Sequence, residues 1–262
     1  MRRTAPLAAA ALALAGLGCR RTPAPFGAHT AFVPVAFRSN NPGRPPWAPR
    51  ISVTNTSGAP STVRLTRWPP DAADSESTLI GLAAGETRPV PSRIPLASVS
   101  SFFFEAGSSF LVRAEIVDRR RIAPSLAVPV LRAEDLARPG DRLTLGPIVD
   151  TPGERSHFCF TYPGVERDAV PFRIHLRLTA PGGGALLWEG TFVLTGLPLV
   201  IDDPWKRFHL APGTAFDVDV AFLGSARGRP VARGMWVYGI TTDRATAASR
   251  FLETRVVRSS AR

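Results

Sequence analysis

Apolar and polar residues alternate with a period of two through most of the chain. Ile51 and Val53 alternate with Ser52 and Thr54, and Val63 and Leu65 alternate with Thr62, Arg64 and Thr66. Between them Asn55-Thr56-Ser57-Gly58-Ala59-Pro60 has turn chemistry, so this stretch predicts a β-hairpin. Phe110, Val112, Ala114 and Ile116 mark one face of a longer strand. Asp118 with Arg119-Arg120-Arg121 then reads as a charged turn into a strand over 122–130, which Pro124 and Pro129 confine to a sheet edge or a bulge.

The second half carries the sharpest alternation. Phe172, Ile174, Leu176 and Leu178 oppose Arg173, His175, Arg177 and Thr179, and Phe216, Val218, Val220 and Phe222 oppose Asp217, Asp219 and Ala221. Leu186, Trp188, Phe192 and Leu194 predict a further inward face after the Pro181-Gly182-Gly183-Gly184 turn, and Trp236, Tyr238 and Ile240 another. Additional strands are expected at 157–162, 206–210 and 251–257. Only 132–138, ahead of Pro139-Gly140, has room for about two helical turns.

These patterns predict an all-β protein with two antiparallel β-sandwich domains: an immunoglobulin-like domain over 29–132, a linker at 133–141, and a sandwich or jelly roll of seven or eight strands over 142–262. The Val53-x-Asn55-x-Ser57-Gly58 turn and its flanking strands resemble the early hairpin of bacterial immunoglobulin-like domains, a likeness that bears on fold and not on function.

The N-terminus departs from the pattern. Arg2 and Arg3 precede a small and apolar run over 5–18, too short to span a bilayer comfortably and followed by Cys19, Arg20 and Arg21. Residues 1–18 therefore read as a signal peptide, and 19–28, with Pro23 and Pro25, as a tether. Ala15-Gly16-Leu17-Gly18-Cys19 resembles the lipobox of bacterial lipoproteins, with Gly16 where that family usually has Leu. The resemblance implies that Cys19 is lipidated after cleavage, anchoring the chain to a membrane. Ordinary cleavage after Ala13-Leu14-Ala15 is the alternative. With Cys19 lipidated, Cys159 is left without an intramolecular partner and is expected to be buried and inert.

Composition changes this picture little. The 262 residues are 44% hydrophobic and 20% charged, with 26 Pro and 22 Gly, which suits a globular chain with many turns. Two cysteines exclude a disulfide-dense scaffold and a four-thiolate zinc site. The net charge is +11, yet all but one of the 32 basic residues is Arg, the exception being Lys206. Arginines dispersed through an Ala- and Pro-rich sequence reflect composition bias and argue against nucleic acid as the partner.

Candidate chemistry is sparse. His157 and Cys159 share a strand face, but no H-x-x-x-H or C-x-x-C spacing accompanies them, so no metal and no cofactor are expected. Asp217 and Asp219 face outward, as do Arg173 and Arg177, which fits a solvated sheet face with charge pairs across strands. Asp202-Asp203-Pro204 reads as a turn. Neither G-x-S-x-G nor G-x-x-x-x-G-K-[ST] occurs, and no catalytic residue is assigned. Trp47, Trp68 and Trp205 stand beside prolines, where they either contact a ligand or partner or plug the ends of the sandwiches. Arg119 to Arg121 and Arg250, Arg255, Arg258 and Arg262 could meet anionic headgroups. The expectation is an exported, lipid-anchored protein of the cell envelope, at the outer membrane or facing the periplasm. It would act as a non-catalytic accessory or scaffold for another envelope component, protein or glycan. A carbohydrate-binding module for peptidoglycan or polysaccharide is the alternative, and a hydrolase built from scattered residues a third reading.

Overall fold

The structure is a computed structural model and describes residues 29–38, 46–68, 77–91, 94, 98–120, 123–163, 171–195, 198–228, 230–231 and 234–259. Cys19, the signal segment 1–18 and the tether 19–28 lie outside these residues. Among the described residues no helix is long and apolar enough to cross a membrane.

The chain is all-β and its sheets are antiparallel. The N-terminal half contains β1 (His29–Arg38), β2 (Trp47–Asn55), β3 (Ser61–Trp68), β4 (Ser77–Leu82), β5 (Thr87–Pro89), β6 (Ser98–Ala106), β7 (Phe110–Asp118) and β8 (Leu126–Ala127). A 3-10 turn at Ala133–Asp135 leads into β9 (Arg142–Ile148), β10 (Glu154–Thr161), β11 (Phe172–Thr179), β12 (Leu186–Leu194) and β13 (Leu199–Ile201). A short helix α1 (Pro204–Arg207) precedes β14 (Phe216–Ser225), β15 (Trp236–Asp243), β16 (Ser249–Leu252) and β17 (Thr254–Val257). Four sheets result, ordered β1-β6-β3-β4, β5-β2-β7-β8, β13-β10-β15-β16 and β12-β11-β14-β9-β17. They touch in sequence: β1 lies against β2 and β7, β8 against β16, and β15 against β9.

The stretch read as a hairpin, 51–65, is instead an arch. β2 pairs with β5 and β7, whereas β3 pairs with β4 and β6, so the two strands belong to different sheets. Asn55 decides this, because its fully buried side chain donates to the carbonyls of Ala59 (2.8 Å) and Ala83 (3.0 Å) and accepts from the Ser57 amide (2.9 Å). A hairpin would have left both strands in one layer. The arch places Ile51, Val53, Val63 and Leu65 in the core from two sheets.

Other local expectations shift for equally local reasons. Residues 132–138 hold one 3-10 turn in place of two helical turns: the Asp135 carboxylate accepts the Arg132 amide at 2.7 Å and caps its start, and the backbone returns to extended at the fully buried Leu136. Of the strand expected over 122–130, β8 retains two residues at a sheet edge, between the two prolines. The strand expected at 206–210 is replaced by the end of α1 and the turn that follows it, with Pro204 at the helix's first position and Asp203 capping the Lys206 amide at 3.1 Å. The stretch 251–257 breaks at Glu253 into β16 and β17, which belong to different sheets. A register shift between Leu178 and Thr179 turns Leu186 outward, half exposed, while Trp188, Phe192 and Leu194 keep the inward face.

The segment between the halves is packed. Leu136 and Ala137 are fully buried, Phe32 and Leu131 exchange backbone hydrogen bonds (2.6 and 2.8 Å), and Ala137 does the same with Met235 (2.9 Å each). Thr161 of β10 donates to the Pro34 carbonyl of β1 at 3.2 Å. Asp141 ties the segment to the C-terminus, accepting from the amides of Arg138 (2.8 Å) and Ser259 (3.0 Å) and from the Arg258 guanidinium (2.7 Å). Burial opposes ionisation of Asp141, but these donors win and hold its carboxyl below the usual range.

Candidate functional site

A groove of about 630 Å³ opens where the two halves meet. Its floor is aromatic. Trp236 and Tyr238 project from one face of β15, and Phe251 of β16 stands beside them because β15 and β16 pair with Ile240 opposite Phe251. The Tyr238 and Phe251 rings meet edge to face at 5.8 Å. Pro129, Leu131, Glu134 and Asp135 form one wall, and Glu253, Thr254, Val256 and Arg258 form the other.

The walls are pinned from within. The Thr254 hydroxyl donates to the Val237 carbonyl at 2.8 Å, holding the corner where the chain leaves β16 for β17. Arg258 reaches across to donate to the Leu136 carbonyl at 2.8 Å and to the Glu134 carbonyl, besides pairing with Asp141. Glu134 and Glu253 are largely exposed and paired with Arg132 (3.7 Å) and Arg255 (3.2 Å). An apolar floor with carboxylates at the rim has the size and lining of a binding cleft. Among the described residues the lining contains no histidine, cysteine or serine.

Neither Trp47 nor Trp205 lines this groove, whereas Arg258, read as a possible headgroup contact, forms part of its wall. Trp205 is a buried residue of α1, its indole N–H donating to the Thr214 carbonyl at 2.7 Å and its ring packing on Phe216 at 5.7 Å. Trp47 opens β2, half-buried against the core. Trp68 ends β3, and its side chain lies outside the described set. Trp236 and Tyr238 were legible as a strand face; only the neighbouring wall from 129–135 makes them a floor, and no local pattern announces that.

The remaining candidates settle into structural surroundings. Cys159 is fully buried opposite Tyr238, and burial pushes its thiol up to about 12 against a hydrogen bond from the Tyr238 hydroxyl. Tyr238 is pushed well above the usual phenol value, chiefly by the same burial. His157 is half-buried on that face, and desolvation lowers its pKa despite the opposing charge of Asp202. Among the described residues no group of three His, Cys, Asp or Glu side chains is placed to hold a metal ion. Asp219 pairs with Arg142 and lies opposite Arg177 in the ladder, while Asp217 accepts the Gly182 amide at 2.7 Å and so anchors the glycine turn. Arg119 and Arg120 form a turn whose Arg120 amide is held by Asp118 (2.9 Å), and Arg121 lies outside the described residues. Arg250 pairs with Glu154 at 3.4 Å, and Arg262 lies outside the described residues. The sequence matches no known protein-family model, and no curated protein matches it.

Proposed function

We propose that this is an exported envelope protein, anchored by a lipid on Cys19, that acts without catalysis as an accessory or scaffold and holds another envelope component in the groove between its halves. The observation that carries this reading is the groove itself, with a Trp236, Tyr238 and Phe251 floor between walls from both halves. Trp236 and Tyr238 are buried and Phe251 half-buried, so together they give the groove a rigid apolar base of the kind that suits binding. The two N-terminal sheets and the two C-terminal sheets would then be two β-sandwiches, the first immunoglobulin-like and the second a sandwich or jelly roll. The layered contacts of β1 with β2 and β7, and of β15 with β9, support that arrangement.

A photocrosslinking residue at Val256, compared with one at Leu79 on the far edge strand β4, tests the binding claim in intact envelopes. A defined adduct at Val256 that is lost when Trp236 is replaced by Ala supports it; equal labelling at both positions would falsify it. Cys19→Ser tests the anchor independently: membrane retention and palmitate labelling should vanish, and their persistence would remove lipidation from the reading.

A further inference from the structure

Among the described residues the four sheets have eight edges, and seven are either shorter than β12 or bridged. β5 and β13 have three residues each, β8 two, β16 and β17 four each and β4 six, and Pro89 ends β5. β1 is long, but Phe32 on its open side exchanges hydrogen bonds with Leu131. β12 is different. It runs for nine residues at the edge of the five-stranded sheet, without proline, and no described strand pairs with its outer side. Leu186 and Val193 are each about half exposed, at 50% and 51%. A long, regular edge of this kind is a template for another strand.

We infer that β12 is a self-association edge, along which two copies of this chain pair antiparallel about a two-fold axis through Gly190 to form one continuous ten-stranded sheet. The register follows from the side chains. With Gly190 opposite itself, Glu189 faces Thr191 of the second copy and Leu187 faces Val193 on the outer surface, while Trp188 faces Phe192 on the inner one. An axis through Glu189 would set two carboxylates against each other, which opposes pairing. An axis through Thr191 would set Glu189 against Val193. Gly190 also suits the centre locally, because a Cβ there would run into the Trp188 indole, which lies over it and stacks on Phe192 at 5.3 Å. Each copy presents the same patch to the other, as a closed dimer requires.

Sedimentation equilibrium of the full chain in detergent tests this. The wild type should be a dimer. Thr191→Glu, at an exposed position, sets a carboxylate opposite Glu189 of the second copy and should raise the dissociation constant at least about tenfold. Adding Glu189→Lys to Thr191→Glu should restore the dimer, since opposite charges then face each other; no effect through folding alone would be reversed in this way. Val193→Lys provides a second disruption, and circular dichroism confirms that each variant is folded. A wild type that is monomeric throughout the accessible concentration range, or a folded Thr191→Glu chain that remains dimeric, overturns the inference.

Discussion

The five-stranded sheet and the β13-β10-β15-β16 sheet share a core but differ in how many of their faces are dry. In β11, Phe172, Ile174, Leu176 and Leu178 are buried while Arg173, His175, Arg177 and Thr179 face out, where Arg177 lies opposite Asp219 and His175 bonds Glu189 at 2.8 Å. In β15 every residue from Trp236 to Thr241 is buried. One face of β15, with Val237, Gly239 and Thr241, meets the five-stranded sheet, where a Cβ on Gly239 would come within 3.2 Å of Leu145 of β9. The other face, with Trp236 and Tyr238, meets the wall from 129–135. A sheet with one wet face advertises itself by alternation; one covered on both sides loses the polar half of the pattern and hides its second contact.

The strongest way to break this comparison is to empty the doubly covered sheet. Phe158→Ala removes a fully buried ring that packs on Phe160 at 5.8 Å and Phe208 at 6.3 Å, and it should cost about 3–5 kcal/mol in urea unfolding. A loss below about 1 kcal/mol would mean that this sheet is not core. Next is the staple beside it. Asp141→Ala leaves two backbone amides and the Arg258 guanidinium without their acceptor and should cost about 2–3 kcal/mol. Because the folded Asp141 carboxyl titrates below its free value of 3.8, its contribution is present above that pH and lost as pH falls through the folded pKa; the variant should therefore show a shallower acid limb.

A third test concerns titration in the covered face. The Cys159 thiol is raised from 9.0 to about 12, so the unfolded chain releases its proton first and stability should decline as pH climbs through that interval. Cys159→Ala should flatten the decline, measured as the slope of the denaturation midpoint against pH, and native Cys159 should resist iodoacetamide until the protein is unfolded. The smallest effect belongs to the wet ladder. Asp219→Asn removes the exposed pair with Arg142 and should cost about 0.2–1 kcal/mol, less at high salt. A larger loss there would erase the contrast between the two sheets.

Much of the strand content was legible, because residues such as Phe216 to Phe222 report their burial one by one. Pairing was not. The alternation at 51–53 and 63–65 is the same whether the strands share a layer or face each other across a core, and only the buried Asn55 amide with its partners Ala59 and Ala83 selects the arch. The candidate site was less legible still. The tryptophans beside prolines were conspicuous in sequence, yet Trp205 packs in the core away from the groove, whereas Trp236, likewise buried and inside an apolar run, lies at the groove's base.

By itself the sequence determined that the chain is β-rich, that a basic pair and a short apolar run near its start end at Cys19, and that Cys159 is the one other cysteine. These follow from local periodicity and counting. Tertiary structure decided which strands share a sheet, that the 133–141 segment is packed, and where a groove exists. Those outcomes depend on contacts between residues as distant as Ala137 and Met235, or Asp141 and Ser259, and no local pattern encodes which distant surface will cover a given face.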